Sequence, residues 1–579
     1  MKLVEALEAI GRPLPPQAAN LHLCLACGFT PLHFLTFLNA HLRLEFPGHR
    51  IEVRPGVFGD LPGNFELGKK ADADALVAVI EWQDLDPRLG IRRLGGGAPR
   101  QLADVARHVH ETAAGLGDSL QEIAQTKTVA LALPTLPLAP VAFTPSWQTG
   151  AFETDIRRAL AELSNRLVGV SGIRMLSAQR LDRISPLSTR FDARSELNAG
   201  FPYTLTHADA LAWLLARLVR NPSPKKGLIT DLDDTLWMGI LGEVGVEGIA
   251  WDLDHHAQKH GLYQQLLAAL AEAGVMIAAA SKNDPALVEE AFRAAKPLLA
   301  RERIFPLEVH WGAKWESVAR ILRAWNVGAE SVIFVDDNLL DLAEVKAAHP
   351  EIQCLQFPGN DHNAAYKLLE ELRDLFGKQA ISEEDQIRLK SIRASHEASD
   401  PGLGPQHTSE SFMQTADGKL TLTFHKNSSD LRALELINKT NQFNLNGRRH
   451  TEASWKRYLS DPCVFLLVAS YEDRFGPLGK VAVMAGRSQG GKLSLDHWVM
   501  SCRAFSRRIE HSCLLRLFHK FEAEEAVFDF VPTARNGPLQ EFFAGVLGAN
   551  PERNPSIQRE EFVRNCPPLY HRIQETGNE

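Results

Sequence analysis

The chain has 579 residues, of which 45% are hydrophobic and 23% are charged, and its formal net charge is -8. Such a composition is typical of a globular protein of about three or four domains, and the negative charge argues against general affinity for nucleic acid. No apolar stretch is long enough for a membrane span or a signal peptide, so we expect neither. Seven cysteines, an odd number, favour the reducing cytoplasm.

Residues 1–220 alternate short apolar stretches with amphipathic ones, which predicts a doubly wound α/β domain. The predicted strands are 21–27, 51–57, 75–80, 129–133 and 174–177, and the clearest helices are 31–43 and 154–168. Cys24 and Cys27 form a CxxC pair inside the first strand with no second Cys/His pair nearby, which favours core packing over zinc binding. The segment 221–226, with two prolines and two lysines, is the predicted domain boundary.

Two carboxylates follow the apolar stretch at 227–230. Asp231 and Asp233 are one residue apart, so in an extended chain their side chains address the same small volume. Two carboxylates at that distance repel each other unless a cation lies between them, and hard oxygen ligands suit Mg²⁺. One of the pair could attack a phosphorus atom while the other moves a proton.

More polar groups follow the next predicted strands, in an order that suits the same chemistry. They are Ser281, Lys282 and Asn283 after the strand at 275–280, then Lys314, and then Asp336 and Asp337 after the strand at 331–335. Hydroxyl and amide groups can hold phosphate oxygens, and a lysine can offset phosphoryl charge. Because open parallel sheets bind ligands at the carboxyl ends of their strands, we expect these groups to form one site.

This set resembles the four motifs of the haloacid dehalogenase (HAD) phosphotransferases. The resemblance implies that Asp231 is a nucleophile that forms an aspartyl-phosphate, and that Asp233 is the general acid/base. It also implies that Ser281 holds the phosphoryl group and that Lys314 balances its charge. Mg²⁺ would be bound by Asp231, the backbone carbonyl of Asp233, Asp336 and Asp337, and substrate contacts would come from Thr235, Lys282 and Asn283.

The stretches between these motifs are short. Residues 232–280 predict a turn, a helix near 257–273 and a strand, and residues 282–313 predict one helix. Neither stretch is long enough for the cap domain that HAD enzymes of small-molecule metabolism usually carry. We therefore expect an open site, suited to a bulky substrate or to a lid from a neighbouring domain.

The first region resembles the SGNH hydrolases but departs from both of their catalytic motifs. Thr30 stands where the nucleophilic Ser would be, and Thr204 stands where an Asp would orient His207. Without that carboxylate the histidine loses its productive tautomer. We predict a structural or docking domain, and a hydrolase that uses Thr30 and His207 is the alternative.

Residues 221–378 form the predicted HAD-like domain, and 379–418 predict an exposed helix near 380–398 followed by a flexible connector at 399–407. Residues 419–579 resemble the GNAT acyltransferase fold, with strands at 465–469, 481–485 and 493–499. Arg507 and Arg508 precede a helix where that fold has glycines and binds coenzyme A pyrophosphate, so binding of coenzyme A is in doubt. The arginines could instead meet the phosphate of a carrier's phosphopantetheine arm, or form a solvated basic turn.

The three regions together resemble the FkbH-like proteins of natural-product pathways over essentially the whole chain. The stretches that carry this resemblance are 231–237, 242–249, 281–284, 336–338, 436–445 and 501–503, with Asn536. The resemblance implies that 1,3-bisphosphoglycerate loses a phosphate at the HAD site and that the glyceryl unit passes to an acyl carrier protein as a thioester. A thiol can capture the acyl group of an acyl phosphate directly.

The chain departs from these proteins at Ala280. Members that transfer a glyceryl unit commonly have a Cys there to hold the acyl group, and residues 339–341 also replace the usual Pro and Glu. We therefore predict a Mg²⁺-dependent HAD phosphatase of FkbH type, acting on a small phosphorylated acid or an intermediate bound to an acyl or peptidyl carrier protein. The alternatives are a glyceryltransferase that delivers directly to the carrier thiol, and a non-catalytic scaffold that docks carriers.

Overall fold

The structure is a computed structural model. It describes residues 1–579 except 17, 95–97, 141–143, 379–380, 382–384, 386–391, 393–415, 428–429, 475, 506, 534, 549–552 and 577–579. The predicted helix and connector at 380–407 thus lie almost wholly outside the described residues. The chain divides into two compact units, Met1–Pro222 with His450–Asp461, and Ser223–Arg449 with Pro462–Glu579. Within the described part, no helix has both the length and the apolar composition needed to cross a membrane.

The first unit is built on a parallel sheet. Its strands are β1 Ala19–Cys27, β2 His49–Pro55, β3 Ala75–Val79, β4 Thr128–Ala132 and β5 Ile173–Met175. They are ordered β2-β1-β3-β4-β5, and all pairs are parallel. Every residue of β3 and β4 is buried, as expected of central strands covered on both faces. The α/β class predicted from the alternating pattern is confirmed.

Helices cover both faces of this sheet. They are Leu3–Gly11, Leu32–Glu45, Leu61–Lys70, Trp82–Leu85, Leu102–Ala124, Ala151–Leu167, Ala178–Ile184, Ala193–Ala199, Leu205–Arg220 and Glu452–Ser460. The last of these comes from far along the chain. Lys456 Nζ donates to the carbonyl of Gln125 at 2.8 Å, and Glu452 pairs with Arg174 at 3.4 Å. The sequence pattern placed this helix in the third region, but it packs with the first unit.

The second unit contains another five-stranded parallel sheet. Its strands are β6 Gly227–Thr230, β7 Met276–Ser281, β8 Ile304–Val309, β9 Val332–Asp336 and β10 Gln353–Gln356, in the order β10-β9-β6-β7-β8. The helices around it are Leu241–Val244, Gln258–Glu272, Pro285–Ala294, Lys314–Trp325, Leu339–Ala348 and His362–Phe376. The sequence pattern missed β8, because Pro306 interrupts it and cannot donate to a ladder. An edge strand tolerates such a proline, and β8 lies at the edge.

A seven-stranded mixed sheet completes the second unit. Its strands are β11 Lys419–Thr423, β12 Val464–Asp473, β13 Gly476–Gln489, β14 Lys492–Met500, β15 Glu525–Phe528, β16 Ser556–Gln558 and β17 Arg572–Thr576. The order is β16-β15-β14-β13-β12-β11-β17. The pairs β11–β12, β12–β13 and β13–β14 are antiparallel. The pairs β14–β15 and β11–β17 are parallel. The helices are Leu431–Lys439, Ile509–Lys520, Gly537–Leu547 and Arg559–Asn565.

Candidate active site

The carboxyl ends of β6, β7 and β9 meet at one edge of the second sheet. Asp231 follows β6 directly, Ser281 ends β7 and Asp336 ends β9. The three side chains are buried, with 5%, 4% and 0% of their residue surfaces exposed. The backbone N–H of Asp231 donates to the carbonyl of Val335 at 2.9 Å, which extends the β6–β9 ladder to the first carboxylate. The structure thus brings together the three strand ends that the sequence marked.

Lys314 is the cation at this edge. It begins the helix Lys314–Trp325 and is 4% exposed. Its Nζ donates to Asp336 Oδ2 at 2.6 Å and lies 3.1 Å from Asp231 Oδ1 and 3.2 Å from Asp341 Oδ2. Burial acts to lower the pKa of Lys314, but the charges of Asp231 and Asp336 outweigh it and raise that pKa. Lys314 is therefore held as an ammonium ion.

Asp341 belongs to the site, although the sequence pattern gave it no role. It lies in the first turn of the helix Leu339–Ala348 and is 3% exposed. Lys282 Nζ donates to its Oδ1 at 2.7 Å, while Lys314 lies at its other oxygen. Burial acts to raise the pKa of Asp341, but the hydrogen bond from Lys282 and the charge of Lys314 lower it. A carboxylate in the first turn of the helix that follows Asp336 was the available signal.

Three carboxylates could hold a metal ion. Asp231, Asp336 and Asp337 each offer an oxygen, and these atoms lie within 4.8 Å of one another. Oδ1 of Asp231 is buried, and the Lys314 ammonium lies 3.1 Å from it. Burial, with the charge of Asp231, raises the pKa of Asp336 to about 7. Lys314 alone leaves negative charge uncompensated, and all the donors are hard oxygens, so the residues present fit Mg²⁺.

The carboxylate of Asp233 lies outside this set of three. Its Oδ1 accepts from Trp237 Nε1 and its Oδ2 from Asn283 Nδ2, both at 2.9 Å. Burial is the main cause that raises the pKa of Asp233 to about 6, so its proton is exchangeable near neutral pH. Asn283, predicted to bind phosphate, therefore orients Asp233. Metal binding through the Asp233 backbone carbonyl stays a prediction.

Thr235 ties the loop after β6 to the loop after β9. The backbone N–H of Asp337 donates to Thr235 Oγ1 at 3.1 Å, and that hydroxyl lies 3.4 Å from Asp337 Oδ1. Thr235 is fully buried. Its predicted contact with substrate stays a prediction, and the bonds that the structure shows position Asp337.

Buried polar residues of the helix Gln258–Glu272 donate hydrogen bonds to the loop that follows β6. His260 Nδ1 donates to the carbonyl of Thr235 at 3.0 Å, and Gln264 Nε2 donates to that of Leu236 at 2.8 Å. The loop lies outside the named strands and has φ +51° at Asp234. Buried carbonyls need donors, and these side chains supply them. Polar residues four apart on a buried helix face were the missed signal.

His207 of the first unit lies in a buried network of hydroxyl groups. His207 is fully buried, with Nε2 2.9 Å from Thr135 Oγ1 and Nδ1 2.9 Å from Ser185 Oγ. Burial lowers the pKa of His207 to about 3. Thr204 caps the helix Leu205–Arg220 by accepting from the His207 backbone N–H at 3.3 Å. Both ring nitrogens of His207 thus have hydroxyl partners. A structural role for this region and its alternative, a hydrolase that uses Thr30 and His207, both stay predictions.

Arg507 and Arg508 both have protein partners. Arg507 is 7% exposed, donates from Nε to Asp473 Oδ2 at 3.2 Å, and lies over the ring of Tyr471 at 5.6 Å. Arg508 adopts φ +57° before the helix Ile509–Lys520 and donates to the carbonyl of Pro568 at 2.8 Å. The binding of substrate phosphate by this pair stays a prediction.

Residues 443–445 lie beside the carboxyl end of β14, where the pairing of β14 with β15 has ended. β14 and β15 pair as far as Leu495 and Phe528. Beyond these residues, 443–445 lie between the segment that continues β14 and the segment that follows β15. Leu445 N–H donates to the carbonyl of Trp498, and Val531 N–H donates to that of Leu445, both at 3.0 Å. Asn536 Nδ2 fixes the insertion by donating to the carbonyl of Asn444 at 3.1 Å. Residues 443–445 are thus held beside β14 by backbone hydrogen bonds and by Asn536.

Comparisons with known proteins indicate the fold of the chain. No protein-family model matches it, and no curated protein sequence matches it. Among solved structures it is similar to the N-terminal part of the protein BF1531 from Bacteroides fragilis, a crystal structure described as containing a phosphatase domain complexed with Mg. The two share 17% sequence identity with a TM-score of 0.52, and the match covers 66% of this chain and 100% of the other. At this identity the likeness concerns the fold.

Proposed function

We propose that the chain is a Mg²⁺-dependent phosphatase of HAD type. The observation that carries this proposal is the group of Asp231, Asp336 and Asp337 at the end of a parallel sheet, with Lys314 bonded among them. The similar fold of a phosphatase domain complexed with Mg supports both the activity and the ion. Bound Mg²⁺ would neutralise the carboxylates and the phosphoryl oxygens.

The side chains have separable tasks in this reaction. A carboxylate oxygen of Asp231 attacks phosphorus as the bond to the leaving oxygen breaks, and Asp233 gives that oxygen its proton. The resulting aspartyl-phosphate is then hydrolysed by water, whose proton returns to Asp233. Trp237 and Asn283 hold Asp233 for both transfers. Lys314 stays protonated and offsets charge throughout.

Phosphate release tests this proposal directly. Acetyl phosphate and p-nitrophenyl phosphate serve as an acyl phosphate and a phosphate ester, each assayed with Mg²⁺ and with EDTA. We expect release that requires Mg²⁺ and is lost in Asp231→Asn, while Asp254→Asn, a change at an exposed position, keeps it. Mg²⁺-dependent release that survives Asp231→Asn would contradict the assignment.

We further propose an enzyme of FkbH type, acting on a small phosphorylated acid or a carrier-bound intermediate of natural-product biosynthesis. Support comes from the complete motif set and from the short stretches between the motifs. Residues 232–313 are all described and contain three helices, β7 and β8, without a cap domain. The Lys282 side chain is 38% exposed at the rim, where a second anionic group of a substrate could reach it.

Ala280 distinguishes this proposal from glyceryl transfer through an enzyme thioester. It is fully buried in β7 and belongs to an apolar cluster with Ile229, Val318 and Phe334. The test is intact-mass analysis of a phosphopantetheinylated carrier protein incubated with the enzyme, Mg²⁺ and 1,3-bisphosphoglycerate. A glyceryl adduct on the carrier would favour direct transfer, whereas phosphate release without an adduct would favour the phosphatase. A scaffold would bind the carrier and release no phosphate.

A further inference from the structure

A buried tyrosine lies next to the candidate active site and has no task in the proposed reaction. Tyr263 belongs to the helix Gln258–Glu272 and is fully buried. Its hydroxyl donates to Thr230 Oγ1 at 3.1 Å, and Thr230, the last residue of β6, is also fully buried. Burying a hydroxyl group costs free energy unless it is hydrogen-bonded, so each of these groups constrains the position of the other.

The Thr230 hydroxyl also holds the residue that follows it. Its Oγ1 donates to the carbonyl of Asp231 at 2.7 Å. β6 ends at Thr230, so this carbonyl lies beyond the named strand. Because Thr230 Oγ1 accepts from Tyr263, its single proton is left for the Asp231 carbonyl. Two consecutive hydrogen bonds thus connect Tyr263 to the backbone of Asp231.

The peptide group between Asp231 and Leu232 connects these bonds to the Asp231 carboxylate. A trans peptide group is planar, so its C=O and its N–H point in opposite directions. The hydroxyl that holds the Asp231 carbonyl therefore also sets the direction of the Leu232 N–H. Burial raises the pKa of Asp231, whereas the charge of Lys314 and the Leu232 N–H lower it. The Leu232 N–H thus acts on the carboxylate that is the proposed nucleophile.

The Tyr263 ring is held independently of its hydroxyl. It lies 5.2 Å from the ring of Phe357, and the Phe357 N–H donates to the carbonyl of Asp336 at 2.8 Å. Packing on this side keeps the ring in place when the hydroxyl is removed. The change Tyr263→Phe therefore tests the hydrogen bond separately from the packing.

We propose that Tyr263 is a positioning residue for the nucleophile, acting on the Asp231 carboxylate through Thr230 and the Leu232 N–H. The inference rests on the proposed phosphatase function, in which Asp231 attacks phosphorus. The hydrogen bonds hold the carboxylate in one orientation before substrate binds, so less ordering is needed at the moment of attack. Asp231 is also a proposed metal ligand, and groups that orient metal ligands typically contribute about 10- to 100-fold in metal affinity or activity.

Amide hydrogen exchange at Leu232 measures these hydrogen bonds without requiring activity. The full chain is compared with Tyr263→Phe, with Thr230→Val, which removes the hydroxyl that holds Asp231, and with Thr230→Ser, which keeps a hydroxyl. We expect at least fivefold faster exchange at Leu232 in the first two variants and wild-type exchange in Thr230→Ser. Ile229 in β6 is the internal reference and should not change. Wild-type exchange at Leu232 in Thr230→Val would overturn the inference. If Ile229 also exchanges faster in that variant, the strand itself is lost, and the result for Tyr263→Phe decides.

Single-turnover phosphate release from acetyl phosphate at saturating Mg²⁺ measures the effect on the reaction. We expect Tyr263→Phe to lower the rate about tenfold, Thr230→Val to lower it at least as much, and Thr230→Ser to restore it. The double variant should be no slower than Thr230→Val, because both changes break the same series of bonds. Tyr203→Phe removes another buried tyrosine hydroxyl, in the first unit, and should keep the wild-type rate. Additive losses in the double variant, or a wild-type rate in Thr230→Val, would overturn the inference.

The two measurements separate this inference from the proposed function. If the wild type releases no phosphate while exchange at Leu232 responds as expected, the phosphatase assignment fails and the orientation of Asp231 by Tyr263 stands. If the wild type releases phosphate while Tyr263→Phe and Thr230→Val change neither exchange nor release, the phosphatase assignment stands and the positioning role of Tyr263 is wrong.

Discussion

The ammonium group of Lys314 donates to Asp336 at 2.6 Å, in a position where both side chains are almost wholly buried. The same Nζ lies 3.1 Å from Asp231 and 3.2 Å from Asp341, so one cation is shared by three carboxylates. Such a cluster carries excess negative charge in a poorly solvated place. A divalent cation would relieve that excess, so we expect the site to respond to Mg²⁺ and to tolerate the loss of Lys314 poorly.

Replacement of Lys314 should therefore destabilise the second unit. Lys314→Met removes the buried cation and leaves its carboxylates unpaired, a change that costs about 3 kcal/mol or more in comparable sites. We expect a lower urea midpoint at neutral pH and partial recovery with Mg²⁺, measured by tryptophan fluorescence. Lys367→Met, at an exposed position, is the matched control. An unchanged urea midpoint in Lys314→Met would show that Lys314 does not offset repulsion among these carboxylates.

Asp231→Asn should reduce phosphate release by at least about a thousandfold, as loss of a nucleophile does in other enzymes. The amide is nearly the same size as the carboxylate but cannot attack phosphorus. It also removes one negative charge from the buried cluster, so the folded state should be at least as stable as the wild type. Single-turnover phosphate release and thermal unfolding measure the two effects. Lost activity accompanied by lost stability would point to misfolding instead.

Asp337 and Asp233 should respond differently to magnesium. Asp337→Asn removes one oxygen of the proposed metal site, so we expect a tenfold or larger rise in the Mg²⁺ concentration for half-maximal activity. Asp233→Asn removes the proposed proton donor. It leaves the three proposed metal ligands in place, because the Asp233 carboxylate lies outside that group of three. We expect a lower kcat with little change in the Mg²⁺ requirement. Magnesium titrations of both variants at saturating substrate make the comparison, and identical shifts would refute it.

Acidification should weaken the first unit through His207. Burial lowers the pKa of His207 to about 3 from 6.5, so the folded state binds fewer protons than the unfolded state between these values. The stability contributed by the neutral ring is therefore present above pH 6.5 and is lost as the pH falls, by about 2 kcal/mol between pH 7 and pH 5. Hydrogen exchange of the helix Leu205–Arg220 measures it, and His207→Gln should remove this dependence.

Glu81 provides a control, because its effect on stability as the pH falls is opposite to that of His207. Both side chains bond Thr135. It accepts from Thr135 and Tyr203, and burial raises its pKa to about 7 from 4.5. The folded state then binds more protons than the unfolded state, so this group adds stability as the pH falls from 7 to 5. Glu81→Gln should make the first unit more acid-sensitive than the wild type. If His207→Gln and Glu81→Gln shift the pH dependence in the same direction, the protonation states assigned here are wrong.

The sequence pattern predicted which strand ends form the candidate site. Asp231, Ser281 and Asp336 each end an apolar stretch, and parallel strands bring such ends to one edge whatever the loops do. The same logic failed for β8, where Pro306 broke the strand pattern at a sheet edge. The helix Glu452–Ser460 lies within the predicted third region, 419–579, and its packing assigns it to the first unit.

By itself, the sequence determined the kinds of chemical groups and the strand ends that present them, because side-chain chemistry and apolar patterning are local properties. The tertiary structure alone decided that Lys314 bonds Asp336, 22 residues away, and that Asn283 holds Asp233, 50 residues away. It alone placed Asp341 beside both lysines and residues 443–445 beside β14. Such partners are chosen by packing between distant segments, which short-range periodicity does not encode.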